Sequence, residues 1–374
     1  MPDTIESLLA TLTLEQKIGQ MLCFGFCGTE PHPDILDAIR RQHVAGFRVT
    51  PYARKMVRYL PDDHPGRSRV DRAPEALERD YLKDFPAPRI TARHYAATLD
   101  RLRTANREAG NPVPLYFCTD VEGNQSMDYD TFGICSMPHP MNLAATGDPE
   151  LCRRVAFSIG TQLRAAGINW IHSPVLDVNT TPDNPEIGTR SYGNDPATVA
   201  RFAAASLRGF DEAAVIATGK HFPGRGESSE DVHFGMATIR ADGERMRAIH
   251  LAPYRALIAA GLPAIMLAHS VFPALDPSEA VATVSETIIR DCLRRELGFD
   301  GVVMTDSFTM GGLVALYPVA EAAVKAVRAG VDLILLKDET ALRGEIYEAL
   351  LAAARDGTLP AERIDEAVRH MLAA

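Results

Sequence analysis

Apolar residues come along this chain in short runs, and polar, amphipathic stretches separate the runs. Continuous apolar segments read as buried strands at 20–26, 44–49, 113–118, 168–178, 213–218, 263–268, 301–305 and 331–336. Between and after them, apolar positions recur at helical spacing over 5–16, 33–41, 92–109, 149–166, 196–209, 244–260, 285–297, 318–329, 339–355 and 361–373. Thr13 and Ser285 stand where helix N-caps are expected, and Pro318 suits a first helical position. Eight strands alternating with helices imply a parallel sheet, and eight units over this length imply a (β/α)8 barrel. A doubly wound open sheet is the second arrangement the pattern allows. Its dinucleotide-binding forms carry a glycine-rich first turn, whereas the first turn here is Phe26-Cys27-Gly28-Thr29.

The rhythm breaks once, at 51–92. That stretch is rich in Pro, Arg and Asp, with Pro61, Pro65 and Pro74 spaced through it, and is too long for an ordinary connection. The expectation is one domain over 1–374 with an insertion at 51–92.

Composition narrows the class. At 374 residues and 46% apolar the chain can bury a large core, and 24% charged residues is ordinary for a soluble protein. A net charge of -10 argues against nucleic acid as the partner. No apolar run reaches membrane-spanning length. The first nine residues carry Asp3 and Glu6 and lack the charge and apolar pattern of a secretory signal. Of the six cysteines, Cys23, Cys118 and Cys292 sit in apolar segments and read as buried thiols, so a reduced, cytoplasmic setting is expected. No HExxH, CxxC or P-loop appears, and neither a metal nor a cofactor is expected.

Polar residues fall where strands end. Asp120 follows the third strand, Asp177 the fourth, Lys220 and His221 the fifth, His269 the sixth and Asp306 the seventh. In a barrel these positions converge on one face, where active sites are built. A lysine at the end of a buried strand needs a charged partner. Asp177 reads as a cap for the loop behind it and His269 equally as a satisfied core histidine. After the fifth strand the chain runs Lys220-His221-Phe222-Pro223-Gly224-Arg225-Gly226, then reaches Asp231 and His233. Residues two apart in an extended segment point the same way, so a carboxylate at 231 can hold one ring nitrogen of His233 and leave the other for proton transfer.

Together these residues carry a resemblance. Lys220-His221-Phe222-Pro223-Gly224 with Asp231-Val232-His233 resembles family 3 glycoside hydrolases, and within them the single-domain β-N-acetylglucosaminidase branch. Three more stretches agree: Asp120-Val121-Glu122-Gly123; Pro174-Val175-Leu176-Asp177-Val178 with Arg190-Ser191-Tyr192-Gly193; and Gly298-Phe299-Asp300-Gly301 running to Thr305-Asp306. The resemblance implies a retaining β-glycosidase, with Asp306 as nucleophile, His233 as general acid and base, and Asp231 orienting it. It further implies that Asp120, Arg190, Lys220 and His221 bind hydroxyls of a small carbohydrate substrate, most simply a terminal β-linked N-acetylglucosamine. A β-glucosidase, a β-xylosidase, a glycoside phosphorylase or a non-catalytic sugar-binding barrel remains open at this point. The chain departs from the family pattern at Asn124-Gln125-Ser126, at Arg225, where histidine is common, and at Ser307.

Overall fold

The apolar runs become eight parallel strands: β1 (Leu22–Cys27), β2 (Gly46–Thr50), β3 (Tyr116–Thr119), β4 (Trp170–Ile171), β5 (Ile216–Phe222), β6 (Ala264–Leu267), β7 (Val302–Thr305) and β8 (Ile334–Leu336). They pair in the order β8-β1-β2-β3-β4-β5-β6-β7. A parallel bridge between Met304 and Leu333, with Thr305 N–H donating to Leu333 O at 3.0 Å, brings the two ends of the sheet together. The result is a nearly closed eight-stranded parallel barrel ringed by helices, as the alternation predicts. The computed structural model describes residues 2–28, 30–31, 33–50, 91–123, 134–229, 236–314, 316–337 and 342–374. Asp231, His233 and all but the last two positions of the expected insertion at 51–92 lie outside these. No helix among the described residues is long and apolar enough to cross a membrane.

Both faces of each strand are covered, which is why the strands read as unbroken apolar runs. One face fills the barrel with Cys23, Cys118, Trp170, Met266, Val302 and Met304. The other packs Ile171, Ile265, Leu267 and Val303 under the helices. Alternation then carries the inward face to the barrel mouth. Cys118 is followed two residues on by Asp120, Trp170 by His172, Thr218 by Lys220 and Met304 by Asp306. Trp170 Nε1–H donates to Thr218 Oγ1 at 2.6 Å inside the barrel, so these two inward positions meet.

Several boundaries differ from the sequence pattern for local reasons. The fourth strand keeps only two residues of the expected 168–178, because Pro174 has no N–H for the ladder. The chain rejoins the sheet through a bridge from Val175 to Lys220. The fifth strand begins later and runs further than 213–218. Ala213 caps the preceding helix and Ala214 turns the chain with φ 55°. Pairing skips His221 between Lys220↔Met266 and Phe222↔Leu267, a bulge that re-aims a side chain. A short helix at Pro140–Ala145, led by its proline, lies in a stretch that carries no clear sequence pattern. Thr13 forms a capping box with Gln16, and Ser285 Oγ accepts from Ile288 N–H at 3.0 Å, as expected of both caps. Of the cysteines, Cys23, Cys118, Cys152 and Cys292 are buried and Cys135 is exposed.

Candidate active site

The barrel mouth holds an alternating chain of charges. Arg48 from β2 donates to Asp120 Oδ2 through Nη2 (2.7 Å) and Nε (3.1 Å). Lys220 Nζ reaches Asp120 Oδ1 at 2.8 Å and also contacts Glu122 Oε1. Arg190 grips Glu122 with Nε (2.5 Å) and Nη2 (3.2 Å) and lies 3.7 Å from Glu186. Glu186 in turn lies 2.7 Å from Arg225 Nη2, and that same nitrogen is 3.8 Å from Asp306 Oδ2. Four cations and four carboxylates thus alternate, and their formal charges cancel. The cancellation explains how so many ionised groups persist where few are exposed: isolated buried charges are expensive, and paired ones much less so.

The charges set the ionisation of each member. Burial alone would raise Asp120, but Lys220 and Arg48 reverse that and hold it well below the usual carboxylate range. Burial opposes the charge on Glu122 too, yet Arg190 and Lys220 hold it at about 2. Lys220 is pushed down by burial and carried above its usual value by Asp120 and Glu122, so it stays an ammonium.

Asp177 organises a second layer. It is fully buried, and burial pushes its carboxyl up to about 6 against the pull of Arg225. Its Oδ2 accepts from His221 N–H (3.2 Å) and lies 2.7 Å from His221 Nδ1, while Oδ1 accepts from Arg225 N–H at 2.7 Å. One carboxylate therefore fixes both groups flanking Asp306. Burial, reinforced by Arg225 and Arg190, pushes the His221 pKa well down, so the ring is neutral. A neutral ring that donates Nδ1–H to Asp177 leaves Nε2 as an acceptor, 3.5 Å from Arg190 Nη2 and 3.8 Å from Asp306 Oδ2.

Asp306 follows β7 and its side chain is 16% exposed. Oδ1 accepts from Ser307 N–H at 2.7 Å, and Oδ2 takes no hydrogen bond among the described residues. Burial would raise its pKa, but Arg225 above all, then Lys220 and the Ser307 N–H, bring it below the usual value. The side chain is thus an ionised carboxylate with one oxygen left without a hydrogen bond among the described residues, 3.8 Å from His221 Nε2 and from Arg225 Nη2, which suits a nucleophile. His269 is a core residue. Its Nδ1 lies 2.7 Å from Thr283 Oγ1, its Nε2 donates to Ser307 O at 3.0 Å, and burial pushes its pKa down.

The structure thus gathers Asp120, Lys220, His221 and Asp306 at one mouth, as their strand-end positions predict, and brings Arg190 to them from the short turn Gly188–Arg190. The sequence reading missed four members. Glu122 was legible as the second acid of the Asp-x-Glu-Gly stretch. Arg225 showed only as a departure from a common histidine. Arg48, mid-strand, and Glu186, in an irregular loop, gave no local signal. Among the described residues, no group of three or more His, Cys, Asp or Glu side chains is arranged to hold a metal ion.

Comparison with known proteins places the chain. Residues 89–374 match the glycosyl hydrolase family 3 N terminal domain. A β-N-acetylglucosaminidase/β-glucosidase of Cellulomonas fimi is 35% identical over 76% of this chain, which spans 50% of that relative's length. A β-hexosaminidase of Stenotrophomonas maltophilia is 33% identical over 70% of this chain and 79% of its own. A solved family 3 β-N-acetylglucosaminidase from Paenibacillus sp. superposes with a TM-score of 0.83 at 37% identity, over 97% of this chain and 62% of that one. The β-N-acetylhexosaminidase of Beutenbergia cavernae gives a TM-score of 0.81 at 29% identity, over 97% and 98%. With a matching family model over most of its length and the same barrel as the two solved relatives, the chain belongs to glycosyl hydrolase family 3.

Proposed function

We propose that this barrel is a retaining β-N-acetylhexosaminidase that releases terminal β-linked N-acetylglucosamine. The observation that carries the reading is Asp306: an ionised carboxylate with Oδ2 unbonded among the described residues, at the mouth and flanked by neutral His221 and cationic Arg225. In the first displacement Asp306 Oδ2 bonds to the anomeric carbon as the bond to the leaving oxygen breaks. His233 supplies the proton that oxygen needs. Water then attacks the anomeric carbon as its bond to Asp306 Oδ2 breaks and frees the carboxylate, His233 takes the water's proton, and two inversions return the β-configuration. Asp231 steadies His233 in its charged form. An imidazole near its reference pKa of about 6.5 can serve both steps at neutral pH. Asp120, Lys220, Arg190 and the His221 acceptor hold sugar hydroxyls. Hydrogen bonds from or to charged groups strengthen as the ring gains positive charge. The names of the C. fimi, S. maltophilia, Paenibacillus and B. cavernae relatives support the N-acetylhexosamine specificity.

A panel of nitrophenyl β-glycosides, with and without phosphate, tests the substrate. The N-acetylglucosaminide should be cleaved fastest, with phosphate making no difference. A 2-deoxy-2-fluoro glycosyl donor should label Asp306, and Asp306→Asn should fold but lose nearly all turnover. A label found by mass spectrometry on another residue overturns the nucleophile assignment.

A further inference from the structure

Arg225 stands apart from the groups aimed at sugar. It is 1% exposed, and its Nε and Nη1 have no hydrogen-bond partner among the described residues. Among the described residues only Nη2 approaches carboxylates, Glu186 at 2.7 Å and Asp306 at 3.8 Å. Its backbone is pinned on both sides. N–H donates to Asp177, and the carbonyl accepts from Asn184 Nδ2 (3.1 Å) and Ser228 N–H (3.1 Å). Asn184 also accepts from Glu186 N–H (3.0 Å) and Ile187 N–H (2.9 Å), so one side chain ties the Glu186 loop to the Arg225 loop. Burying a guanidinium with so few bonds is costly, and a neutral residue would be cheaper unless the charge is used.

The groups facing Asp306 show what uses it. From β5 come His221 and Lys220, from the segment after β6 comes His269, and from the loop after β5 comes Arg225. Both histidines are neutral, because burial disfavours their charged forms. Lys220 spends its charge on Asp120 and Glu122. Among the described residues Arg225 is left as the nearest full positive charge. It is itself faced by Asp177, Glu186 and the phenol of Tyr254, which burial keeps un-ionised.

From this arrangement we infer that Arg225 is a positioning residue for Asp306, keeping the carboxylate charged and its Oδ2 in place, while Glu186 sets how much of the guanidinium charge Asp306 feels. The inference rests on Asp306 being the nucleophile. It makes a sign prediction. Removing Arg225 makes Asp306 easier to protonate, so the acidic limb of kcat/KM moves to higher pH. Removing the charge of Glu186 strengthens the pull of Arg225 on Asp306, so the limb moves to lower pH.

The experiment measures kcat/KM of the full chain on an aryl β-N-acetylglucosaminide from about pH 4 to about pH 8, for the parent, Arg225→Met, Arg225→Lys and Glu186→Gln. In Arg225→Met the ratio of kcat/KM at about pH 4.5 to that at about pH 7 should fall roughly tenfold. Arg225→Lys should restore most of it, and Glu186→Gln, acting on a carboxyl already held below its usual value, should leave the ratio no lower than the parent's. An unmoved limb in Arg225→Met, with only a lowered Tm, overturns the inference and leaves Arg225 a structural residue. Glu186→Gln moving the limb in the same direction as Arg225→Met overturns it equally, and this arm still decides if Arg225→Met fails to fold. Labelling the parent with the fluoro donor separates the two levels. A label on Asp306 with unmoved limbs sinks this inference alone, and a label elsewhere sinks the proposed function.

Discussion

Replacing Lys220 by methionine keeps the length and apolar stem of the side chain and removes one charge from the middle of the buried chain. Lys220 is 3% exposed and bridges Asp120 and Glu122, so its loss leaves two carboxylates facing each other. Breaking a buried ion pair from one side costs roughly 3–5 kcal/mol. Here each carboxylate keeps a two-pronged arginine, Asp120 with Arg48 and Glu122 with Arg190, so the cost falls at the low end, about 3 kcal/mol near pH 7. With an unfolding entropy of roughly 2.1 cal/mol/K per residue, that lowers Tm by about 4 °C. The loss should depend on pH with a definite sign. Both carboxylates are depressed in the parent, so their stabilisation is full above the ordinary carboxylate pKa of about 4. It drains away as pH falls through the folded values, about 2 for Glu122. In the variant both groups take up protons more readily, so acidification destabilises it less than the parent and the gap narrows. Urea denaturation of both proteins at about pH 7 and about pH 4 measures this. A gap under about 1 kcal/mol at neutral pH, or one that widens in acid, refutes the argument that Lys220 is the electrostatic bridge of the site.

Two further outcomes follow from the same reasoning. His233→Ala should damage hydrolysis of a disaccharide far more than that of a nitrophenyl glycoside, because only the sugar alkoxide needs a proton to leave. Azide should recover part of the aryl rate as a β-glycosyl azide, and Asp231→Asn should fall between parent and His233→Ala; equal losses on both substrates without an azide product would remove His233 from proton transfer. Gly226→Ala should cost more than about 2 kcal/mol, because its Cβ would sit 1.9 Å from Val178 O, a backbone atom that cannot swing aside. A variant with the parent's melting temperature would show that the loop after Arg225 is free to move.

The barrel and the face of its site were readable from local pattern because alternation is local. A strand buried on both sides must be apolar throughout, and a polar residue two places past an inward apolar one must emerge at the mouth. Met304 then Asp306, Cys118 then Asp120, and Thr218 then Lys220 follow that rule. His221 does not: a bulge the sequence did not announce turns it beside Lys220.

What the sequence by itself determined was therefore the eight-unit alternation, the end of the barrel where chemistry sits, and the residues delivered there by strand ends. The pairing of charges was decided only by the tertiary structure. Arg190 meets Glu122 across 68 positions and Lys220 meets Asp120 across 100, while Glu186 and Arg225 reach each other from irregular loops. No local propensity encodes such meetings, because they depend on how loops close and on a low-dielectric mouth in which every buried charge must find an opposite. The same condition turned Arg225, in sequence only a departure from a family pattern, into the charge that stands over Asp306.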